Sequence, residues 1–142
     1  MNRLFISLNI PDNIIDRLVE LRKLCWDDDN LKWEPKEKLH VTLKFIGDVN
    51  QSKTDELIDR LRFINDYSAF DCILENFGFF FRDGIPSILW AGLNIAKTII
   101  KLNKQIEEAL DALSIISDKK KFKPHITLTR LKKDPGNDFV NT

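Results

Sequence analysis

The feature that most constrains this chain is an internal repeat with an offset of 85 residues. The segment SLNI at 7–10 recurs as GLNI at 92–95, and KLHVTL at 38–43 recurs as KPHITL at 123–128. Both matches share one offset, and both halves run strand, helix, strand in the same order. The chain therefore reads as two copies of one unit. This predicts an α+β fold with two pseudo-symmetric lobes, each a small antiparallel sheet with helices on its outer face, around a central cleft.

The repeat carries the only two histidines of the chain, and each opens the pattern His, β-branched, Thr, Leu. Alternate side chains of a strand share a face, so His40 and Thr42 point to one side and the apolar residues between them to the other. His125 and Thr127 follow the same rule. If the apolar residues pack under the helices, two imidazoles and two hydroxyls face the cleft between the lobes.

This set of groups suits an in-line displacement at phosphorus. One neutral imidazole takes a proton from the attacking water, and the other, as imidazolium, gives a proton to the leaving oxygen. The threonine hydroxyls donate hydrogen bonds to the non-bridging oxygens. A zinc site would need further ligands, and the sequence has no CxxC spacing and no cluster of His, Cys and carboxylate at ligand spacing. We therefore expect no metal and no cofactor.

Charge and hydropathy limit the partners. Lys and Arg number 22 and Asp and Glu number 22, so the 142-residue chain carries no formal net charge. A general nucleic-acid or membrane-surface binder uses a strong basic excess, so we expect at most a local basic site. The apolar stretches are too short to cross a bilayer, and the N-terminus lacks the features of a secretory signal. These observations predict a cytoplasmic protein with no membrane association.

Periodicity and turn residues predict the other elements. Strands are expected at 4–10, at 39–46 ending at Gly47, around 69–80 and 87–95, and at about 124–131. Helices are expected from Pro11, after a cap at Ser52, and along a stripe of Ile99, Leu102, Ile106, Leu110 and Leu113. Because no linker interrupts the pattern, residues 1–142 are expected to form a single bilobal domain.

The segments around both motifs resemble the two-histidine (2H) phosphoesterase superfamily. More narrowly, they resemble its bacterial and archaeal RNA 2′,3′-cyclic phosphodiesterases, first named 2′-5′ RNA ligases. The resemblance is carried by RLFISLNIP at 3–11, KWEPKEKLHVTLKFIGDV at 32–49 and KFKPHITLTR at 121–130. It implies metal-independent hydrolysis of a terminal 2′,3′-cyclic phosphate on RNA to a 2′-phosphomonoester. RNA ends or small cyclic nucleotides would then be the substrates.

The resemblance also implies roles for five residues. His40 would be the proton donor to the 3′ leaving oxygen, and His125 the base that activates water. Thr42 and Thr127 would hold the phosphate, and Arg130 would add positive charge. Simple strand alternation places Arg130 on the side of the apolar residues, so this last role requires a bulge or the end of the strand.

Members of that family usually continue with further strands after the second motif, whereas this sequence ends at Thr142. The domain therefore looks short at its C-terminus. We expect a smaller sheet, a fragment, or a sheet completed by a second copy of the chain. Lys132, Lys133 and Pro135 lie where they would block pairing at an exposed strand edge, which favours a monomer.

Several other residues have two interpretations each. Lys44 either faces the phosphate or is a solvated lysine at a strand end. Trp33 and Phe45 either stack on a nucleobase or belong to the core. The basic run KKKFK at 119–123 is either an approach for RNA or a solvated loop with Phe122 in the core.

The function has alternatives of two kinds. The same phosphate chemistry would serve a reversible 2′-5′ ligase, a hydrolase of 2′-5′-linked oligonucleotides, or a phosphodiesterase for small cyclic nucleotides. The sequence does not separate these, because all of them use the same groups around the phosphate. The other kind is a non-catalytic module that binds RNA ends without turnover.

Overall fold

The structure is a computed structural model, and it describes residues 1–27, 31–69, 71–95, 97–117, 122–131 and 135. In chain order its elements are β1 (Asn2–Leu8), α1 (Asp12–Cys25), β2 (Val41–Val49), α2 (Gln51–Arg60), β3 (Cys72–Arg82), β4 (Ile85–Ile95), α3 (Lys97–Ala112) and β5 (His125–Arg130). Short 3₁₀ helices at Lys36–Lys38 and Leu61–Asp66 precede β2 and follow α2. The α+β class predicted from the sequence is confirmed.

The strands are hydrogen-bonded in the order β1-β2-β5-β4-β3. β5 lies antiparallel to both of its neighbours, β2 and β4. The hairpin between β3 and β4 turns at Asp83 and Gly84, whose φ angles of 54° and 78° are the positive values that a tight two-residue turn requires. Because β5 hydrogen-bonds on both sides, the described strands form one five-stranded sheet, where the repeat predicted two small ones.

The chain divides into two compact units, each assembled from three separate segments. The first unit contains Met1–Ser7, Thr42–Ile73 and Asn94–Pro124. The second contains Leu8–Val41, Leu74–Leu93 and the chain from His125 onward. Each unit combines strands with at least one α-helix, and each takes segments from both halves of the sequence.

In the first unit, α3 packs against α2 and supplies most of the helical core. Its buried apolar side chains are Ile99, Leu102, Ile106, Ala109 and Leu110, which confirms four of the five positions in the predicted stripe. The cap of α2 is Asn50, whose side chain accepts a hydrogen bond from the Lys53 amide at 2.8 Å. The predicted cap, Ser52, is wrong because the cap lies two residues earlier and Ser52 is already inside the helix.

In the second unit, the residue that follows α1 packs on one face of β3. Trp26, directly after α1, packs edge-on against Phe77 and Phe79, with ring centroids 5.0 and 6.4 Å away. By strand alternation, Phe80 points to the opposite face of β3. Among the helices of the described residues, none combines the length and the apolar character needed to span a membrane.

Candidate active site

The two motifs meet where Val41 of β2 pairs with Ile126 of β5 in antiparallel register. Both side chains are buried, with 3% and 0% of their surface exposed. One step along this register places His40 across from Thr127, and alternation turns both side chains to the face opposite the core. Both residues are half-buried. A histidine of one motif and a threonine of the other therefore come together on one face of the sheet.

His125, the first residue of β5, lies on this same face because it is two residues from Thr127. We call the face that carries His40, His125 and Thr127 the histidine face. The imidazole of His125 meets the ring of Phe80 nearly at right angles, with centroids 4.9 Å apart. The indole of Trp90 is 6.4 Å away. These two aromatic rings restrict the orientation of the imidazole.

The indole of Trp90 lies flat on the sheet because two strand residues beneath it have no side chain. A Cβ atom on Gly78 would collide with the indole, and a Cβ atom on Gly92 would lie 3.0 Å from it. Neither position could hold alanine without moving the ring. Sequence reasoning missed Phe80 and Trp90, since neither lies near a motif. The sequence offered one weak indication of their role, namely that each is an aromatic residue on one of two successive predicted strands.

Thr42 follows Val41 in β2 and is the first residue of its segment in the first unit. Alternation within β2 turns its side chain to the side of His40 and away from that of Val41. Thr42 is half-buried, like its counterpart Thr127. The strand itself therefore places the histidine and the threonine of the first motif on one side.

Arg130 reaches the histidine face because β5 contains a bulge. Successive residues of β4 pair with Thr127 and Thr129, so Leu128 is an extra residue on β5. An extra residue reverses the alternation of the strand after it. Arg130, which pairs with Ile88, therefore lies on the same side as Thr127. The bulge is one of the two features that the sequence analysis required for Arg130 to lie on this side.

The two motifs show the same pattern of buried and exposed residues. In residues 40–45 and 125–130, the first and third positions are half-buried, the second, fourth and fifth are buried, and the sixth is exposed. Two consecutive buried positions therefore interrupt the alternation of burial at the same place in both copies. The exposed sixth positions are Phe45 and Arg130.

Lys44 is buried, so its interpretation as a solvated lysine is wrong. Only 7% of its side chain is exposed, and its Nζ lies 2.8 Å from Oε1 of Glu107 on α3. Asn103, also on α3, donates a hydrogen bond to the carbonyl oxygen of Leu43 at 2.6 Å. Helix α3 thus covers this part of β2, and the ammonium group of Lys44 is bound to a carboxylate.

Phe45 is exposed, so its interpretation as a core residue is wrong. About half of its surface, 49%, is accessible, and the guanidinium of Arg3 lies over its ring at 5.4 Å from the centroid. Trp33 and Phe122 are half-buried. Residues 119–121 of the basic run lie outside the described residues.

Two arginines differ sharply in their surroundings. Arg130 is 67% exposed, and its Nε lies 4.0 Å from Oε1 of Glu34. Arg22 is 8% exposed; burial lowers its pKa from the ordinary value, and Glu34 acts in the opposite direction. The guanidinium group of Arg22 stays charged despite its burial. Within the described part of the chain, no three His, Cys, Asp or Glu side chains are grouped so that they could hold a metal ion.

Comparison with known proteins identifies relatives of this chain. A family model described as LigT-like phosphoesterase matches residues 8–90. An RNA 2′,3′-cyclic phosphodiesterase of Thermotoga maritima is 29% identical over 135 residues, which cover 94% of this chain and 72% of the relative. A protein of the same name from Aeropyrum pernix is 30% identical, over 84% of this chain and 68% of its own length. The crystal structure of the protein TT0787 of Thermus thermophilus superimposes with a TM-score of 0.81 at 25% identity, over 96% and 78% of the two chains.

Proposed function

The chain belongs to the LigT-like phosphoesterase family and is a hydrolase, and from this premise we propose that it hydrolyses terminal 2′,3′-cyclic phosphates on RNA. The product is a 2′-phosphomonoester. In this proposal His40 and His125 are the acid and the base, and the reaction uses no metal ion. The names of the relatives from Thermotoga maritima and Aeropyrum pernix support RNA as the substrate.

The observation that carries the proposal is the register of β2 against β5. The pairing of Val41 with Ile126 turns His40 and Thr127 to one face, and His125 belongs to the same face. Two imidazoles beside a hydroxyl are a sufficient set of groups for acid and base catalysis at a phosphate.

In the proposed reaction, a water molecule attacks phosphorus on the side opposite the O3′ leaving oxygen. His125 takes a proton from this water as the new P–O bond forms. The bond between phosphorus and O3′ breaks, and His40 supplies the proton that O3′ needs. The phosphate stays on O2′. A proton from solvent and the loss of one to solvent then restore His40 and His125.

Three other groups bind the phosphate in this proposal. The hydroxyls of Thr42 and Thr127 donate hydrogen bonds to the non-bridging oxygens. Arg130 adds a positive charge, which its place after the bulge and its exposure allow. Phe45 offers an exposed aromatic ring for stacking on a base, with Arg3 beside it.

The direct test uses an RNA oligonucleotide that ends in a 2′,3′-cyclic phosphate, in buffer with EDTA. We expect turnover, and phosphorus NMR should place the product phosphate on the 2′ oxygen. A 2′-5′-linked dinucleotide and ADP-ribose 1″,2″-cyclic phosphate, assayed in parallel, show which substrate is preferred. A 3′-phosphate product, or activity that disappears with EDTA and returns with a divalent metal, would contradict the proposal. If either of these two compounds were turned over faster than the RNA, that compound, and not an RNA end, would be the preferred substrate.

A further inference from the structure

The bulge of β5 is held by a short segment that lies outside the regular strands. Trp33 forms an isolated antiparallel bridge with Thr129. The backbone amide of Glu34 donates a hydrogen bond to the carbonyl oxygen of Leu128, the extra residue, at 2.7 Å. We call this arrangement, residues 32–34 together with Thr129, the bulge clamp. It binds β5 at the point where the alternation of the strand reverses.

The side chain of Thr129 completes the clamp. Its hydroxyl donates a hydrogen bond to the carbonyl oxygen of Lys32 at 2.7 Å, and only 1% of the residue is exposed. The buried hydroxyl has lost its bonds to water, so it depends on this contact with the Lys32 carbonyl oxygen. The contact therefore favours the register in which Leu128 is the extra residue.

The clamp is anchored to the body of the second unit by α1. The buried guanidinium of Arg22 donates a hydrogen bond from Nη1 to the carbonyl oxygen of Glu34 at 2.8 Å. The same guanidinium lies over the ring of Trp33, 5.2 Å from its centroid. Because Arg22 is 8% exposed, this anchor is shielded from solvent. Segment 32–34 thus has a fixed place from which to hold β5.

We propose that Thr129 is a positioning residue, which acts through the bulge clamp to direct Arg130 to the phosphate. This inference rests on the proposed function, because it gives Arg130 a phosphate to bind. Bulges next to active sites re-aim side chains, and here the bulge moves Arg130 from the apolar side of β5 to the histidine face. Without the clamp, β5 could pair with β4 in regular alternation, and Arg130 would turn away from His125 and Thr127.

The first motif carries a corresponding arrangement, built from different side chains. Leu43 and Lys44 occupy the positions of Leu128 and Thr129 in the repeat. The Leu43 carbonyl oxygen also accepts a hydrogen bond from outside the strands, here from the Asn103 side chain. Lys44, like Thr129, is buried against a polar partner. Two unrelated sets of contacts thus hold the same backbone position in both copies, which supports a role for this position beyond packing.

The test measures the dissociation constant of adenosine 2′-monophosphate by calorimetry for the intact protein and a set of variants. Thr129→Val keeps the shape of the side chain and removes the hydroxyl. We expect it to weaken binding by up to about three- to tenfold, because one lost hydrogen bond shifts the balance from the bulged to the regular register by that factor and only the bulged register directs Arg130 to the phosphate. Thr129→Ser keeps the hydroxyl and should bind within about twofold of the intact protein. If Thr129→Val does not fold, Thr129→Ala removes the same hydroxyl with less demand on packing.

A double-mutant cycle with Arg130→Ala separates positioning from a general loss of structure. Arg130→Ala alone should weaken binding about ten- to a hundredfold, because it removes a charge-assisted bond to phosphate. Adding Thr129→Val should then cost nothing more, since there is no Arg130 left to direct. The matched control is Thr54→Val in α2, which also removes a buried hydroxyl that bonds to a backbone carbonyl, Asn50, at 2.8 Å. It should leave binding unchanged.

The possible results are distinguishable. If Thr129→Val weakens binding equally with and without Arg130, or binds as well as the intact protein, the positioning role is wrong. A loss of binding in Thr54→Val as large as in Thr129→Val would also overturn it. If Arg130→Ala itself binds normally, the error lies in the proposed function, in the role of Arg130, and the positioning role falls with it.

Discussion

The imidazole of His125 lies edge-on to the ring of Phe80, with centroids 4.9 Å apart and planes at 86°. Aromatic pairs of this geometry contribute about 0.5–1.5 kcal/mol beyond the burial of their surface. The contact therefore biases the imidazole toward one orientation on the histidine face. We infer that Phe80 holds His125 ready for proton transfer.

Replacing Phe80 by leucine should lower kcat by about two- to tenfold, because the imidazole loses the ring that orients it. The control is Phe81→Leu, one residue further along β3, whose side chain is 57% exposed and points to the other face. Steady-state kinetics on a 2′,3′-cyclic mononucleotide measure both variants. Equal losses in the two variants, or none in Phe80→Leu, would show that the contact does not orient His125.

Removing either histidine should nearly abolish turnover. His40→Ala and His125→Ala are each expected to lower kcat by about 10²- to 10⁴-fold, the usual range for the loss of a general acid or base. Both residues are half-buried at the strand ends, so the fold should survive, as circular dichroism can check. A folded variant that keeps more than about a tenth of the activity would contradict the proposed mechanism.

The pH dependence of kcat/KM should be bell-shaped and should distinguish the two histidines. The base must be neutral, so activity rises with pH as His125 loses its proton; the acid must be charged, so activity falls as His40 loses its proton. The residual activity of His125→Ala should therefore lack the rising limb, and that of His40→Ala the falling limb. The opposite result would exchange the two roles. EDTA should leave the profile unchanged.

The ion pair between Lys44 and Glu107 should be asymmetric in its effect on stability. Glu107→Ala leaves the ammonium of Lys44 buried without its carboxylate, and we expect a loss of about 2–4 kcal/mol in the free energy of unfolding. Lys44→Met leaves Glu107 without its partner, but Glu107 is 27% exposed and can be hydrated. The free energy of unfolding should therefore fall less in Lys44→Met than in Glu107→Ala. Urea unfolding measures both. The exposed pair Arg17 and Glu20 is the control, and Glu20→Ala should cost less than about 1 kcal/mol.

Size-exclusion chromatography with light scattering should give the mass of one chain, 16.6 kDa. β1 and β3 are the edge strands of the described sheet, and unpaired edges recruit other chains unless charge or proline blocks them. The block that the sequence suggested at Lys132, Lys133 and Pro135 follows β5, which is paired on both sides, and the two lysines lie outside the described residues. A mass of twice that value, unaffected by salt, would show that the edges pair between chains.

The sequence alone was enough to predict the class of the fold and the orientation of the two motifs. The spacing of Ile99, Leu102, Ile106 and Leu110 predicted the buried face of α3. Alternation within a short strand predicted that each histidine shares a side with the threonine two residues later. These properties are local, because they depend only on the periods of a strand and a helix.

The tertiary structure determined on which side of its strand each residue after the two motifs lies. Alternation predicted that the side chain of Lys44 would lie on the same side of β2 as that of Thr42. Instead, Lys44 is buried against Glu107, and Phe45 is exposed. It also predicted that Arg130 would lie on the apolar side, and the bulge at Leu128 reverses that side. A bulge depends on which partners the backbone finds, and here the partners come from segment 32–34 and from β4, far away in the chain. The role of side chains that stabilise the bulge, such as Thr129, therefore could not be predicted without the positions of these distant segments.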